Sequence, residues 1–198
     1  MKIVLIRHGK TKANENSSYC GSTDLPLSEI GKSEIISMRS SGCYPDISQY
    51  RVFTSGMKRT EETLACLYGD IQHETLPDMK EMDFGSFEMR NYSELRHDPE
   101  YVSWCSGDNQ NKCTPGGESG RDMRDRVIAC ISQLRNDGQD VLIVTHGGPI
   151  AAVMDHYFPE EDKNRFQWQP EAGSGYILFF ENSRCFWKSI PERSDHHG

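Results

Sequence analysis

Two histidines in this chain share one setting. Arg7-His8-Gly9 follows the apolar run Lys2 to Ile6, and Thr145-His146-Gly147-Gly148 follows Val141 to Val144. A third segment, Arg51-Val52-Phe53-Thr54, runs into Ser55 and then into Lys58-Arg59-Thr60. A guanidinium fork binds phosphate through paired N–H groups and neutralises charge spread over its oxygens. An imidazole can act as nucleophile and divide a hard phosphoryl transfer into two easier steps. The glycines let backbone N–H groups approach a ligand, and those before Pro149 stand at a helix start, where anions are favoured. Taken singly, a histidine at a strand end is usually a satisfied structural residue. Two of them, each followed by glycine and joined by Arg7 and Arg59, make a cationic pocket suited to a phosphate group. Hydrolysis also needs a proton donor for the leaving alkoxide. Glu81, in Glu81-Met82-Asp83-Phe84-Gly85, could be kept protonated near neutral pH by apolar neighbours, although by spacing alone Asp78, Asp83 and Glu88 compete with it.

The elements that must position these groups read as alternating strands and helices. Short continuous apolar runs suit strands buried on both faces of a parallel sheet, as at Lys2 to Ile6 and Val141 to Val144, with Arg51 to Thr54 a weaker third. Helices are expected over Ser28 to Arg39, Met57 to Tyr68, Glu118 to Asn136 and Gly148 to Phe158. In the third, Met123, Val127, Ile131 and Leu134 share a face, Ser119 and Asp122 resemble a capping box, and Gly138 lies just past the end. A hairpin is expected from Tyr176 to Phe180 and Cys185 to Trp187, turning at Asn182-Ser183. This order predicts a three-layer α/β/α sandwich with a mostly parallel central sheet. Ligands of such sheets bind outside the carboxyl ends of the strands, where the histidines fall. The stretch Glu81 to Gly117 is rich in Asp, Asn, Gly and Pro and reads as a small irregular or helical excursion over the active site. Residues 1–190 are expected to form one domain, with 191–198, including His196-His197, a flexible polar tail.

Composition narrows the partners. The 198 residues carry 22 Lys and Arg against 30 Asp and Glu, a formal charge of -8. An acidic surface argues against a general nucleic-acid binder, so cationic character must be gathered locally. No apolar run approaches the length of a membrane span, and Ile3 to Ile6 is too short for a signal-peptide core, which points to the cytoplasm. The seven cysteines form no C-x-x-C pair and read as reduced thiols, with no redox role and no metal site.

The residues from Arg7 to Asn14 resemble the R-H-G-x-T-x-x-N signature of the histidine phosphatase superfamily, the phosphoglycerate mutase-like proteins. The resemblance continues through Gly21 to Ser28, Ser55 to Thr63, Glu81 to Glu88, Pro115 to Ser119 and Thr145 to Gly148, in family order. It implies that His8 becomes a transient phosphohistidine cradled by Arg7, Arg59 and His146, with Glu81 as proton donor and later activator of water. It further implies substrate contacts from Asn14, Cys20, Gly21 and Gly147 and a reaction that needs neither metal nor other cofactor. The ligand implied is a small phosphorylated metabolite. Within the family, the compact length resembles the phosphatase branch, and Glu81 to Arg90 with Tyr101 to Cys105 look most like α-ribazole phosphatases of cobalamin biosynthesis. A phosphoglycerate mutase-type isomerase and a phospho-ligand binding module without turnover are the alternatives. Phe87 stands where the family often has Trp, and Met89 where many members have Gly. Both are expected in a substrate-facing segment, although Phe87 and Trp104 read by composition as core or lid packing.

Overall fold

The computed structural model describes residues 1–108, 110–181 and 184–191. Strand β1 (Lys2–Arg7) is followed by a single helical turn, α1 (Lys12–Glu15), and by α2 (Glu29–Ser40). Strand β2 (Arg51–Thr54) runs into α3 (Lys58–Tyr68), and β3 is only Glu74–Thr75. An excursion follows, with 3-10 turns at Pro77–Met79 and Gly85–Phe87 and the helices α4 (Tyr92–Leu95) and α5 (Pro99–Ser106). The chain returns through α6 (Gly120–Asp137), β4 (Val141–Thr145) and α7 (Gly147–Tyr157). It closes on α8 (Arg165–Trp168), β5 (Gly175–Glu181) and β6 (Arg184–Ile190).

The sheet order is β3-β2-β4-β1-β5-β6. The first four strands are parallel, β5 adds antiparallel to β1, and β6 adds antiparallel to β5. Arg7 pairs with Thr145 and Thr54 with Val144, so β1, β4 and β2 end level with one another. The apolar runs explain the layers. Ile3, Leu5, Val141 and Ile143 face one core with Val127, Ile131 and Leu134 of α6 and Ile150, Val153 and Met154 of α7. Their alternates Val4, Ile6, Leu142 and Val144 face the other with Ile35 of α2 and Leu64 and Leu67 of α3. Each buried aliphatic chain contributes about 1.5–3 kcal/mol, and alternation alone divides them between two cores.

The expected boundaries are met within two residues on the helices. Ser28 caps α2, and Ser119 with Asp122 forms the capping box of α6, which ends on left-handed Gly138. α1, α8 and the two-residue β3 are too short to show a period in sequence. The expected turn at Asn182-Ser183 and the tail beyond Pro191 lie outside the described residues. All seven cysteines are free thiols. Among the described residues no helix is long and apolar enough to cross a membrane.

Candidate active site

Because the three strands end level, their next residues meet. The His8 N–H donates to the Thr145 carbonyl at 2.9 Å, and the Ser55 N–H to Val144 at 3.2 Å. His8 is 6 % exposed, with Nδ1 2.7 Å from the Gly9 carbonyl. A carbonyl only accepts, so Nδ1 carries the proton and Nε2 keeps its lone pair. Burial first, then the charges of Arg59 and Arg7, hold the His8 pKa well below the ordinary 6.5. The imidazole is therefore neutral at pH 7, the form a nucleophile requires.

His146 and Arg59 are interlocked beside it. The His8 and His146 rings meet edge to face at 5.0 Å. Arg59 Nε donates to His146 Nδ1 at 3.2 Å, so the ring proton sits on Nε2 and is given to Ser55 Oγ at 2.8 Å. Burial, followed by Arg59, His8 and Arg7, also keeps His146 neutral. The remaining Arg59 contacts are carbonyls, Thr23 at 2.9 Å and Gly21 at 2.8 Å. Arg7 donates through Nη1 to the Pro170 carbonyl at 2.8 Å, and its buried Nε has no partner. Among the described residues neither guanidinium forms an ion pair with a carboxylate. Two such cations, Arg59 only 1 % exposed, make a site complementary to an anion.

Glu81 reaches this site from the excursion. Its Oε2 accepts from the Gly148 N–H at 3.0 Å, at the start of α7, and its Oε1 from the Met82 N–H at 3.0 Å. A Cβ on Gly148 would lie 2.2 Å from Glu81 Oε1, so glycine there is what admits the carboxylate. The competing acids are engaged elsewhere. Glu88 accepts from the N–H groups of Gly21, Ser22, Thr23 and Phe84 and from the Thr23 hydroxyl, which shapes the loop whose carbonyls hold Arg59. Asp83 binds the Gly85 N–H and the Ser22 hydroxyl. Glu81 alone of Asp78, Glu81, Asp83 and Glu88 lines the cavity that Arg7 lines.

Residues 3–192 match the histidine phosphatase superfamily, branch 1. The chain belongs to this superfamily. It is 29 % identical over 203 residues to adenosylcobalamin/alpha-ribazole phosphatase of Salmonella typhimurium, covering 95 % of this chain and 99 % of that one. An Escherichia coli relative of the same name is 30 % identical over 161 residues, 78 % of this chain and 77 % of the other. The crystal structure of the alpha-ribazole phosphatase from Shigella flexneri matches with a TM-score of 0.84 at 25 % identity, over 97 % of this chain and 96 % of that one.

In this superfamily member Arg7 and Gly148, of the strand-end groups, lie against a cavity of about 580 Å³, while His8, Arg59 and His146 are buried behind its wall. Arg7, Asn14, Glu81 and Gly148 line it together with Tyr19, Cys20, Met82, Phe84, Trp104 and Met123. Asn14 Oδ1 accepts from Thr11, N–H and hydroxyl, and Cys20 is half-buried on the wall. Gly21 plays a different part from the expected substrate contact. Its N–H and carbonyl are occupied by Glu88 and Arg59, and a Cβ would strike the Met82 carbonyl at 1.7 Å. Gly147 packs against the Arg7 guanidinium, where a Cβ would lie 3.3 Å from Cζ.

For Phe87 the core-packing reading holds and the substrate-facing one does not, and for Met89 the substrate-facing expectation is corrected. Phe87 faces the core, fully buried against Tyr101 and Trp104 at 5.4 and 5.8 Å, and does not reach the cavity. Met89 is surface-exposed with φ 60°, the left-handed region that glycine occupies without steric cost. Its backbone geometry, rather than substrate contact, explains why glycine suits that position. The sequence reading missed Ser55 as the partner of His146, and missed Asp155, Phe166 and Gln169 on the cavity wall. Phe166 sits on α8, a helix too short to announce itself.

Proposed function

We propose that the chain is a metal-independent phosphomonoesterase that works through a phosphohistidine on His8. The observation that carries this reading is a neutral His8 with a free Nε2 beside the buried Arg59 and half-buried Arg7 guanidinium groups, neither in a carboxylate ion pair among the described residues. In the first step the Nε2 lone pair forms the N–P bond while the bond to the leaving oxygen breaks. Glu81, protonated, gives its proton to that oxygen. Arg7 and Arg59 balance the charge on the equatorial phosphoryl oxygens, and Asn14 adds a contact. His146 stays neutral and holds Arg59 in place, its Nδ1 lone pair accepting the Arg59 Nε–H. In the second step the Glu81 carboxylate removes a proton from water, the oxygen attacks phosphorus, the P–N bond breaks, and phosphate leaves. Each charge and proton is handled by a side chain already present.

The substrate we favour is a small phosphorylated metabolite, with α-ribazole 5′-phosphate the first to try. The names of the relatives motivate it, and the aromatic cavity wall is compatible with a ring-bearing leaving group. The test is phosphate release in excess EDTA from α-ribazole 5′-phosphate, 3-phosphoglycerate and an aryl phosphate, with His8→Ala as control. His8-dependent release from α-ribazole 5′-phosphate supports both parts. Release from the aryl phosphate alone keeps the phosphatase and removes the substrate. Turnover of phosphoglycerate that depends on a bisphosphorylated primer would point to the isomerase instead.

A further inference from the structure

The segment that carries Glu81 has no helix or strand of its own between Lys80 and Phe84, yet a proton donor must be held to a fraction of an ångström. One side chain on the second turn of α6 does much of that holding. Arg126 donates to Glu118 as a fork, Nε to Oε1 at 2.7 Å and Nη2 to Oε2 at 2.9 Å. Its remaining N–H groups go to backbone carbonyls, Nη1 to Asp78 at 2.6 Å and Lys80 at 2.8 Å, and Nη2 to Glu81 itself at 3.1 Å. All its N–H directions are thus taken, and none is directed at substrate. Glu118 completes the hold, because its Oε2 also accepts the Asp83 N–H at 3.3 Å and its own N–H donates to the Asp83 carbonyl at 2.9 Å. Thr145, at the end of β4, fixes the near side by donating to the Met79 carbonyl at 2.5 Å.

We propose that Arg126 and Glu118 are the positioning pair for the proton donor, a deepening that rests on the phosphatase reading above. They fix the backbone of residues 78 to 83 against α6 while the Gly148 N–H fixes the Glu81 carboxylate against α7. Lysine cannot replace the arginine, since an ammonium has neither the planar fork nor enough donors to reach three carbonyls and both carboxylate oxygens. The pair's hydrogen bonds reach the site through the Glu81 segment. Its loss therefore matters most where proton donation matters, in breaking bonds to poor leaving groups.

The experiment measures kcat/KM, which reports transfer to His8, over aryl phosphates from 2,4-dinitrophenyl to phenyl. The proteins are the full chain, Arg126→Met, Arg126→Lys, Glu118→Gln, Glu81→Gln and the Glu81→Gln/Arg126→Met pair. Arg126→Met and Arg126→Lys are expected to steepen the dependence on leaving-group pKa, with losses of about 10–100-fold on phenyl phosphate and the least on the dinitrophenyl ester. Added to Glu81→Gln, Arg126→Met should cost no more than about twofold, because the group it positions is already gone. Arg126 is half-exposed, and the Lys and Gln variants keep a test in hand if the Met variant does not fold. Equal losses on every ester, or losses that multiply with Glu81→Gln, would overturn the pairing while leaving the phosphatase intact. Absence of His8-dependent turnover in the unmodified chain would overturn the reading and the pairing with it.

Discussion

His8, Ser55 and His146 extend from three adjacent parallel strands, whereas Tyr19, Phe84, Trp104 and Phe166 reach the cavity from loops and short helices. The first set is at most 6 % exposed and locked by backbone and side-chain hydrogen bonds, while the second grades from Trp104, buried in the core, out to Phe166 at 69 % exposed. The difference teaches where each task can be placed. Binding and transferring a phosphoryl group needs charges and a lone pair held in a dry, rigid frame, which two packed cores supply. Choosing the leaving group needs a wall that can change, and of these residues the exposed Phe166 can do so without disturbing those cores. Glu81 belongs to both regions. It sits on the excursion, and the start of α7 and the Arg126–Glu118 fork tie it to the rigid frame.

That contrast can be broken most severely at the strand ends. His8→Ala should lower turnover by about 10³-fold or more with the melting temperature little changed, checked by phosphate release and calorimetry. Glu81→Gln should cost about 10²–10⁴-fold on poor leaving groups and less on good ones, read from an aryl phosphate series. Acid should act on the strand ends before the outer wall. His8 and His146 are depressed below 6.5 when folded, so the unfolded chain binds the extra protons. Their contribution to stability is fully present above 6.5 and is lost as the pH falls from there towards the folded values. His73, raised by its Ile71 carbonyl contact and by Glu61, works in the opposite sense, its stabilisation fading as the pH rises through its folded value. Thermal melts with and without inorganic phosphate, from neutral pH downward, check the sign. Phosphate should protect most where the histidines would otherwise charge.

Changes on the outer wall should be smaller. Phe166→Ala should remove about 1 kcal/mol of contact with a ring-bearing leaving group, raising KM for bulky aryl phosphates roughly fivefold and for a small ester less. Smallest of all, Met89→Gly should stabilise by about 0.5–1 kcal/mol, since glycine relieves the left-handed strain but loosens the unfolded chain. A melt measures it, and unchanged kinetics would confirm that Met89 lies outside the site.

The same contrast governs what could be read from the sequence. The strand ends were legible because an apolar run followed by Arg-His-Gly or Thr-His-Gly is a local pattern with a local cause. The face of α6 and its caps were legible for the same reason. Glu81 could not be separated from Asp78, Asp83 and Glu88 by spacing, because its partners lie far along the chain, Gly148 at 67 residues and Arg126 at 45. For Phe87 the family resemblance suggested a substrate-facing segment while the residue type suggested core packing, and the 3-10 turn at Gly85–Phe87 directs it into the core. The cavity wall at Phe166 and Gln169 was invisible, since α8 spans only four residues and carries no motif.

The central claim is a covalent phosphoryl group on His8 during turnover. The direct measurement is rapid-quench trapping with an aryl phosphate labelled at phosphorus, followed by peptide mapping under alkaline conditions that preserve phosphohistidine. The account predicts a phosphopeptide containing His8 that forms and decays within one turnover, persists longer in Glu81→Gln, and is absent from His8→Ala. Turnover that proceeds with no trapped intermediate, or with the label on another residue, would contradict it.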